Sequence, residues 1–344
     1  MNKPQKILVI RNDKLGDFML AWPSYALIKK QYPDAEITAL VPEYTATMAE
    51  QCEWIDDILI DEKADSFIKD ISQLSKKIKD KDFDASISLF SESRTAFSLW
   101  LAGIKVRVGP ATKLAQLFLN RRLKQKRSRS LKPEYEYNID LIRYYIQLNH
   151  DSPVDNVSPP YLSFDPGEIS TLRDKLMSDC CIANNTAIIL IHPGTGGSAI
   201  NLTLQHYAKL ANCISGRHKV YFFISAGPGE SETAKNLSKL IKSDHHIHIS
   251  EGSIVDFCKL INIVDLYISG STGPLHIAGA LNIRTVAFYP TKRSATQLRW
   301  QTVNDIDKRL AFSINKNANI EEVDIDMMDA CKKICKTYLT KYSH

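Results

Sequence analysis

The 344-residue sequence lacks the features that mark several large protein classes. The N-terminus holds only a short apolar run, too short for a secretory signal or a membrane span, so we expect the chain to stay in the cytoplasm. The seven cysteines show no CxxC spacing, and we expect reduced, mostly buried thiols. Cys331 and Cys335 lie four residues apart on a predicted helix, but no His or acid completes a metal site there.

Common nucleotide and metal signatures are also missing. No glycine turn carries the GK[ST] ending of a Walker A loop, and the first strand is not followed by GxGxxG. The second absence argues against a nicotinamide dehydrogenase. Neither HExxH nor DxD lies near the glycine-containing turns described below, so we expect no metal ion and no cofactor.

Acidic residues are absent from one long segment, between Lys105 and Lys132. Ten Lys and Arg residues lie there without a single Asp or Glu, although the net charge of the whole chain is only +5. Such a segment attracts phosphates, nucleic acid or an acidic membrane face. A solvated charged loop is the alternative for about half of these residues.

Short β-branched runs alternate with longer amphipathic segments along the chain. This alternation predicts two α/β domains, each with a mostly parallel sheet covered on both faces. Residues 149–168 are rich in Pro, Asp, Ser and Asn and form the best linker candidate. We place the domains at 1–165 and 166–320, followed by a C-terminal helix at 321–344 that is a candidate to pack back on the N-terminal domain.

The first unusual strand-to-helix junction is residues 11–17, directly after the strand KILVI. Gly16 permits backbone shapes that other residues resist, and Asp17 lies where a side chain points from the strand end towards a cleft. A carboxylate there suits a general base. Because Asp is also a preferred N-cap residue, position alone leaves helix capping as the alternative.

Two glycine-containing turns in the C-terminal half have the composition of anion-binding sites. Residues 192–198 read HPGTGGS after the most hydrophobic strand, and residues 269–276 read SGSTGPLH before a predicted helix that Pro274 would begin. Backbone N–H groups and the helix N-terminus can converge on phosphates there, so the pair indicates a diphosphate-linked ligand. His276 is either a hydrogen-bond donor to that ligand or a structural histidine.

Together these stretches resemble glycosyltransferase family 9, the ADP-heptose:lipopolysaccharide heptosyltransferases. The resemblance runs over nearly the whole chain and is carried by KILVIRNDKLGD with Pro23, the stretch from 101–103 to 107–109, HPGTGGSA, the GPGE of 227–230, and GSTGPLHIAGAL. It implies a GT-B fold, with two Rossmann-like domains facing a central cleft. The N-terminal domain would bind the acceptor and the C-terminal domain the nucleotide sugar, for transfer with inversion and without a metal.

The resemblance also assigns roles to individual residues. It makes Asp17 the base that deprotonates the acceptor hydroxyl. The donor contacts fall on Thr195, Gly196, Gly197, Ser198, Glu230, Ser271, Thr272, Gly273 and His276, with Glu230 as a partner for the ribose hydroxyls. The predicted acceptor contacts are Arg11, Arg94, Arg121 and Arg122.

The acceptor that the resemblance implies is an anionic inner-core glycolipid, lipid A-Kdo or heptosylated core. The enzyme would then be peripheral at the cytoplasmic face of the inner membrane, and the basic segment lies in the acceptor-side half. We expect no nucleic-acid partner, because Phe118 is the only aromatic residue between Lys105 and Lys132 and stacking on bases is poorly supported.

Two departures from the family pattern concern the donor. Many members have a Lys near Trp-Pro after the HPG turn, where this chain reads Ile200-Asn201-Leu202-Thr203, and many read Asp-Thr-Gly where this chain has Ser271-Thr272-Gly273. Another sugar nucleotide or a surface-polysaccharide acceptor therefore remains an alternative. A non-catalytic nucleotide or nucleic-acid binding protein is the alternative of another class.

Overall fold

A computed structural model describes residues 5–64, 66–194, 202–250, 252–316 and 323–343. The chain divides into two compact units, Met1–Tyr161 and Leu162–His344. Both are α/β units built on largely parallel sheets, as the alternation of strand-like and helix-like segments predicts.

The first unit holds a six-stranded sheet in the order β3-β2-β1-β4-β5-β6, with every neighbouring pair parallel. This is the strand order of a doubly wound Rossmann fold. Its strands are β1 Lys6–Ile10, β2 Glu36–Val41, β3 Asp57–Ile60, β4 Ala85–Ser88, β5 Val106–Pro110 and β6 Arg121–Leu123. Its helices are α1 Leu15–Met19, α2 Trp22–Gln31, α3 Glu43–Ala49, α4 Phe67–Asp80, α5 Ser93–Leu101 and α6 Glu134–Leu148.

The second unit holds a seven-stranded sheet in the order β13-β12-β11-β10-β7-β8-β9. Only the pair β12–β13 is antiparallel within the described strands. Its strands are β7 Ala187–His192, β8 Val220–Ala226, β9 His245–Ile249, β10 Leu266–Gly270, β11 Thr285–Pro290, β12 Arg309–Lys316 and β13 Val323–Asp324. Its helices are α7 Pro166–Asp179, α8 Leu204–Ser215, α9 Ser231–Ser238, α10 Ile254–Asn262, α11 Gly273–Ala280 and α12 Met327–Ile334.

Helices cover both faces of this second sheet. Phe222 and Ile224 of β8 pack into a core shared with α8, α9 and α12. Phe223, between them, faces a groove lined by α7 and α10. Because successive side chains of a strand point to opposite faces, the continuous apolar run of β8 matches a strand buried on both sides.

The C-terminal segment differs from the sequence prediction. The helix expected over 321–344 is shorter, with α12 at Met327–Ile334 followed by a π turn at Cys335–Leu339 and a 3₁₀ turn at Thr340–Tyr342. Its buried face joins the core of the second unit, against α8.

The packing of α12 on α8 also corrects the prediction of reduced thiols. Cys213 of α8 and Cys331 of α12, 118 residues apart in the chain, form a disulfide. Cys335 Sγ lies 3.9 Å from Cys331 Sγ, and both residues belong to the core of the second unit. Cys331 is already bonded to Cys213. Spacing along the sequence carries no information about a pair that only the tertiary fold brings together.

No helix in the described segments is both long and apolar enough to cross a bilayer.

Candidate active site

Both sheets reverse their strand order at one point, and the candidate residues follow those points. In the first sheet the reversal lies between β1 and β4, and Arg11 directly follows β1. In the second it lies between β7 and β10, which end at His192 and Gly270. Ligands of open α/β sheets bind beyond the carboxyl ends of the strands at such switch points. Each unit therefore has one candidate ligand-binding region.

In the first unit, a buried guanidinium organises the residues that follow β1. Arg11 donates from Nη2 to Asp17 Oδ1 at 2.7 Å and from Nε to Asp13 Oδ1 at 2.8 Å. Its Nη1 donates to Glu134 Oε1 at 3.2 Å and to Asn138 Oδ1 at 3.1 Å, both on α6. Charge-assisted bonds of this kind hold a carboxylate in a fixed orientation.

The Asp17 carboxylate is held for a purpose other than helix capping. Lys14 is the N-cap residue of α1, and Asp17 is the third residue of that helix. Gly16 is an ordinary helical residue of α1. The Asp17 side chain bonds to Arg11 and keeps 17% of its surface exposed.

Burial and neighbouring charges shift the ionisation of this group. Burial raises the pKa of Asp17, while Arg11 opposes the rise and Glu134 adds to it. For Asp13, burial raises the pKa to about 6 against the pull of Arg11. Burial acts to lower the pKa of Arg11, but Asp13, Asp17 and Glu134 together raise it, so the guanidinium stays charged. A carboxyl with a raised pKa is a stronger base near neutral pH.

Glu134 and Asn138 were not found from the sequence. They lie 123 and 127 residues after Arg11, on the face of α6 that is buried in this unit. Glu134 also accepts from Arg127 Nη1 at 2.7 Å, so one buried carboxylate serves two arginines. Glu134 is the first residue of α6, where an acidic side chain commonly interacts with the helix dipole. Nothing in the sequence indicates its contact with Arg11.

The four predicted acceptor residues fall into two pairs. Arg11 and Arg94 are buried, and Arg94 donates to Asp61 at 2.6 Å and to Asp70 at 3.0 Å. Both guanidinium groups are thus engaged inside the unit and position acidic side chains. Arg121 and Arg122 are exposed on β6, where an anionic molecule can reach them.

In the second unit, Glu230 joins the ends of β7 and β8. Its Oε2 lies 3.6 Å from His192 Nε2 and accepts from the Gly227 amide at 3.2 Å. A Cβ on Gly194 would lie 2.0 Å from the same oxygen, so only glycine leaves room for the carboxylate there. Burial lowers the pKa of His192 despite Glu230, and His192 Nδ1 lies 3.0 Å from Ser225 Oγ.

The second glycine turn presents the N-terminus of α11. Thr272 is the N-cap, with no side-chain hydrogen bond to the first turn, and Pro274 lies in that turn as predicted. The first-turn amides of a helix left without such a cap form an anion site. His276 is buried, burial lowers its pKa to about 4, and its Nδ1 has no hydrogen-bond partner among the described residues. A neutral imidazole with an unpaired buried nitrogen is expected to serve a ligand or a water.

Thr195, Gly196, Gly197 and Ser198, four of the predicted donor contacts, lie outside the described residues, as does Ile200. Ser271 and Gly273 are half-buried at the start of α11. Across the described part of the chain, no three His, Cys, Asp or Glu side chains gather in an arrangement that would hold a metal ion.

A comparison with protein families identifies the chain. The model of glycosyltransferase family 9 (heptosyltransferase) matches residues 71–327. The chain belongs to glycosyltransferase family 9. As a member of this family it is a glycosyltransferase, and the function class inferred from the junction motifs is confirmed.

Individual relatives agree with this assignment. A Haemophilus influenzae protein is 44% identical over 328 residues, covering 94% of each chain, and its name gives only a provisional assignment as a glycosyltransferase. Lipooligosaccharide heptosyltransferase 2 of Campylobacter jejuni is 28% identical over 167 residues, 47% of this chain and 48% of that protein. The structure of E. coli ADP-heptose lps heptosyltransferase II has a TM-score of 0.76 at 19% identity and covers 98% and 99% of the two chains. The last likeness confirms the predicted GT-B fold class.

Proposed function

We propose that this chain transfers heptose from ADP-heptose to the inner core of lipopolysaccharide, with inversion and without a metal ion. Family membership supports the reaction class. The relative from Campylobacter jejuni is a lipooligosaccharide heptosyltransferase, and the E. coli structure is of an ADP-heptose lps heptosyltransferase. The acceptor is then an anionic glycolipid, lipid A-Kdo or heptosylated core, met at the cytoplasmic face of the inner membrane.

One observation carries the mechanism: Asp17 is held by a buried arginine and does not cap its helix. In the proposed reaction Asp17 removes the proton of the acceptor hydroxyl, and the acceptor oxygen forms a bond to the anomeric carbon. The bond from that carbon to the diphosphate breaks, and ADP leaves. Arg11 keeps the carboxylate oriented, and burial keeps its pKa raised so that it can accept the proton.

On the donor side, the proposal assigns the diphosphate to the uncapped N-terminus of α11 and to the turn that follows β7. Helix N–H groups stabilise the negative charge that grows on the leaving group. Neutral His276 would donate a hydrogen bond to the donor, and Glu230 would accept from the ribose hydroxyls. Thr195 to Ser198 complete this predicted set.

The base assignment is tested by Asp17→Asn. We expect transfer to fall by at least about 100-fold, the lower range for loss of a general base, while calorimetry shows nearly unchanged ADP-heptose affinity. Asp34→Asn, an exposed carboxylate of the same unit, is the matched control and should keep full activity. Turnover that survives in Asp17→Asn, with a normal melting temperature, would refute the assignment.

The donor sugar needs a separate test, because Ile200 and Ser271 depart from the family pattern. Calorimetry with a panel of sugar nucleotides should give tight binding of ADP-heptose, and mass analysis of the glycolipid product should show one added heptose. Preference for another sugar nucleotide would favour the second candidate, a family member with a different donor or a surface-polysaccharide acceptor.

A further inference from the structure

One face of the first unit combines exposed apolar side chains with unpaired positive charges. Four large apolar residues are exposed there: Trp100 (49%), Leu101 (46%), Leu114 (69%) and Leu117 (70%). The first two end α5, and the last two lie on the 3₁₀ helix Leu114–Phe118. We call these four residues, together with Lys113, Arg121, Arg122 and Lys124, the apolar-basic surface.

The two short elements are packed side by side, so their exposed residues are neighbours. Phe118 of the 3₁₀ helix lies 4.8 Å from Phe97 and 6.3 Å from Trp100 of α5, measured between ring centroids. In a 3₁₀ helix, side chains three apart eclipse each other. Leu114 and Leu117 therefore share one side, and the opposite side carries Ala115 and Phe118, which pack on α5. The leucine side is left to the solvent.

The charges around these residues are not neutralised. Lys113 precedes the 3₁₀ helix, and Arg121, Arg122 and Lys124 follow it; all four are exposed and make no ion pair within the described ranges. Two other basic residues of the segment are engaged, since Arg127 pairs with Glu134 and Lys132 with Asp140. The four cations thus flank the 3₁₀ helix along the chain, and no Asp or Glu lies between Lys105 and Lys132.

This combination fits a lipid bilayer better than a protein or a nucleic acid. Amphipathic aromatic and leucine side chains insert at the headgroup boundary, while Lys and Arg attract anionic lipids. Each such charge strengthens binding about five-fold, from about 1 kcal/mol per residue. Nucleic acid would leave the leucines without a partner, because its affinity comes from phosphate contacts and base stacking.

We propose that the apolar-basic surface docks this enzyme on anionic phospholipid bilayers. Leu114, Leu117 and Trp100 enter the headgroup boundary, and the flanking Lys and Arg residues contact lipid phosphates. This proposal rests on the proposed function and specifies the surface that makes its membrane contact. Docking on the bilayer requires neither a particular donor sugar nor the glycolipid acceptor.

The test uses the intact chain and vesicles without any glycolipid. Wild-type protein should cosediment with vesicles of phosphatidylcholine and phosphatidylglycerol and only weakly with phosphatidylcholine alone. Its tryptophan fluorescence should shift to shorter wavelength, and Trp100→Phe should reduce that shift. Leu114→Ser with Leu117→Ser should weaken binding about ten-fold or more, by loss of apolar burial. Lys113→Gln with Lys124→Gln should weaken it about 25-fold at low salt, five-fold for each charge.

Matched controls lie on α4 of the same unit. Phe67→Ser with Ile68→Ser removes two exposed apolar side chains, and Lys76→Gln with Lys79→Gln removes two exposed charges. Both controls should bind vesicles as the wild type does. ADP-heptose binding by calorimetry should be unchanged in the leucine variant, so that a failure of docking is separated from a failure of the proposed donor site.

Three outcomes would overturn the proposal. The first is equal binding to neutral and anionic vesicles. The second is a leucine variant that binds no worse than its α4 control. The third is a wild-type dimer in light scattering that the leucine variant abolishes without any vesicle binding, which would assign the surface to a second copy of the chain.

Discussion

At the residue scale, the charge on Asp17 depends on nearby Arg11 and on Glu134, which lies far along the chain on α6. Arg11 lowers its pKa and Glu134 raises it, and both are buried. Burial has the largest effect, so the net shift is upward. Since a base must be deprotonated to act, activity should be lost as the pH falls through the raised pKa of Asp17.

The contribution of Glu134 is testable with Glu134→Gln. The amide keeps a hydrogen-bond acceptor for Arg11 but removes the negative charge, so the pKa of Asp17 should fall. The acid limb of the rate profile should then move to lower pH, because the charge that raises the pKa of Asp17 is gone. Glu136→Gln, on the same helix and more exposed, is the control and should leave the profile in place. An unmoved acid limb in Glu134→Gln, with transfer still measurable, would contradict this electrostatic role.

The sequence singles out Asp17 and Arg11 by their place in a junction, but not the groups on α6 that hold Arg11. Asp17 follows a strand within a recognisable junction, whereas Glu134 and Asn138 reach Arg11 only because α6 packs in the same unit. The sequence also does not indicate that Arg94 is buried. A charged residue is buried only with partners, and its partners Asp61 and Asp70 lie on other elements. Local pattern thus indicates which junction matters, and tertiary packing decides what each side chain does.

At the scale of elements, Glu230 links the residues at the ends of β7 and β8. The Glu230 carboxylate touches Gly194, His192 and the Gly227 amide, so it fixes two strand ends at once. A methyl group on Gly194 would overlap the end of a flexible side chain, and the carboxylate would have to swing away. Such a movement costs little stability but displaces the Glu230 carboxylate, which we propose accepts from the ribose hydroxyls of the donor.

We therefore expect Gly194→Ala to weaken ADP-heptose binding about as much as Glu230→Ala does. The double variant should bind ADP-heptose no more weakly than either single variant, because both changes remove the same contact. Calorimetry measures the ADP-heptose affinity of each variant, and thermal denaturation measures its stability. Additive affinity losses in the double variant would contradict the shared contact.

Gly279 is different, because a Cβ there would lie 2.7 Å from Thr302 Cβ and 3.2 Å from the Val303 amide nitrogen. Gly279→Ala should therefore destabilise the fold by about 1–3 kcal/mol, measured by thermal denaturation.

Most strands and helices follow from periodicity, and the exceptions have physical reasons. β6 reads RRL, too short and too charged for a strand pattern, and it forms by pairing with β5. Residues 17–32 have the spacing of one continuous helix, but the chain breaks there into α1 and α2, with Pro23 in the first turn of the second. Proline cannot donate the hydrogen bond that would continue a helix through its position.

At the scale of the whole molecule, each unit has its own core, and the disulfide belongs to the second one. It joins α8 to α12 across a separation of 118 residues. A cross-link over a long loop stabilises mainly by restricting the unfolded chain, typically by about 2–4 kcal/mol. Its loss should therefore affect the stability of the second unit.

Scanning calorimetry of the intact chain tests this expectation. Reductant should lower an unfolding temperature of the wild type, while Cys213→Ser should start at the lower value and not respond to reductant. Cys258→Ser, which changes a buried thiol outside the bridge, should keep the response. An unfolding temperature of the wild type that is the same with and without reductant would show that the bridge adds no stability.

The sharing of Glu134 between Arg11 and Arg127 has a thermodynamic consequence. Arg127 belongs to the basic segment, and an anion bound beside it would offset part of its charge and leave Glu134 more negative towards Asp17. The pKa of Asp17 would then rise. Because linkage is reciprocal, protonation of Asp17 must strengthen the binding of that anion by the same free energy. Anion affinity at the basic segment and proton affinity at the base are in this way one coupled quantity.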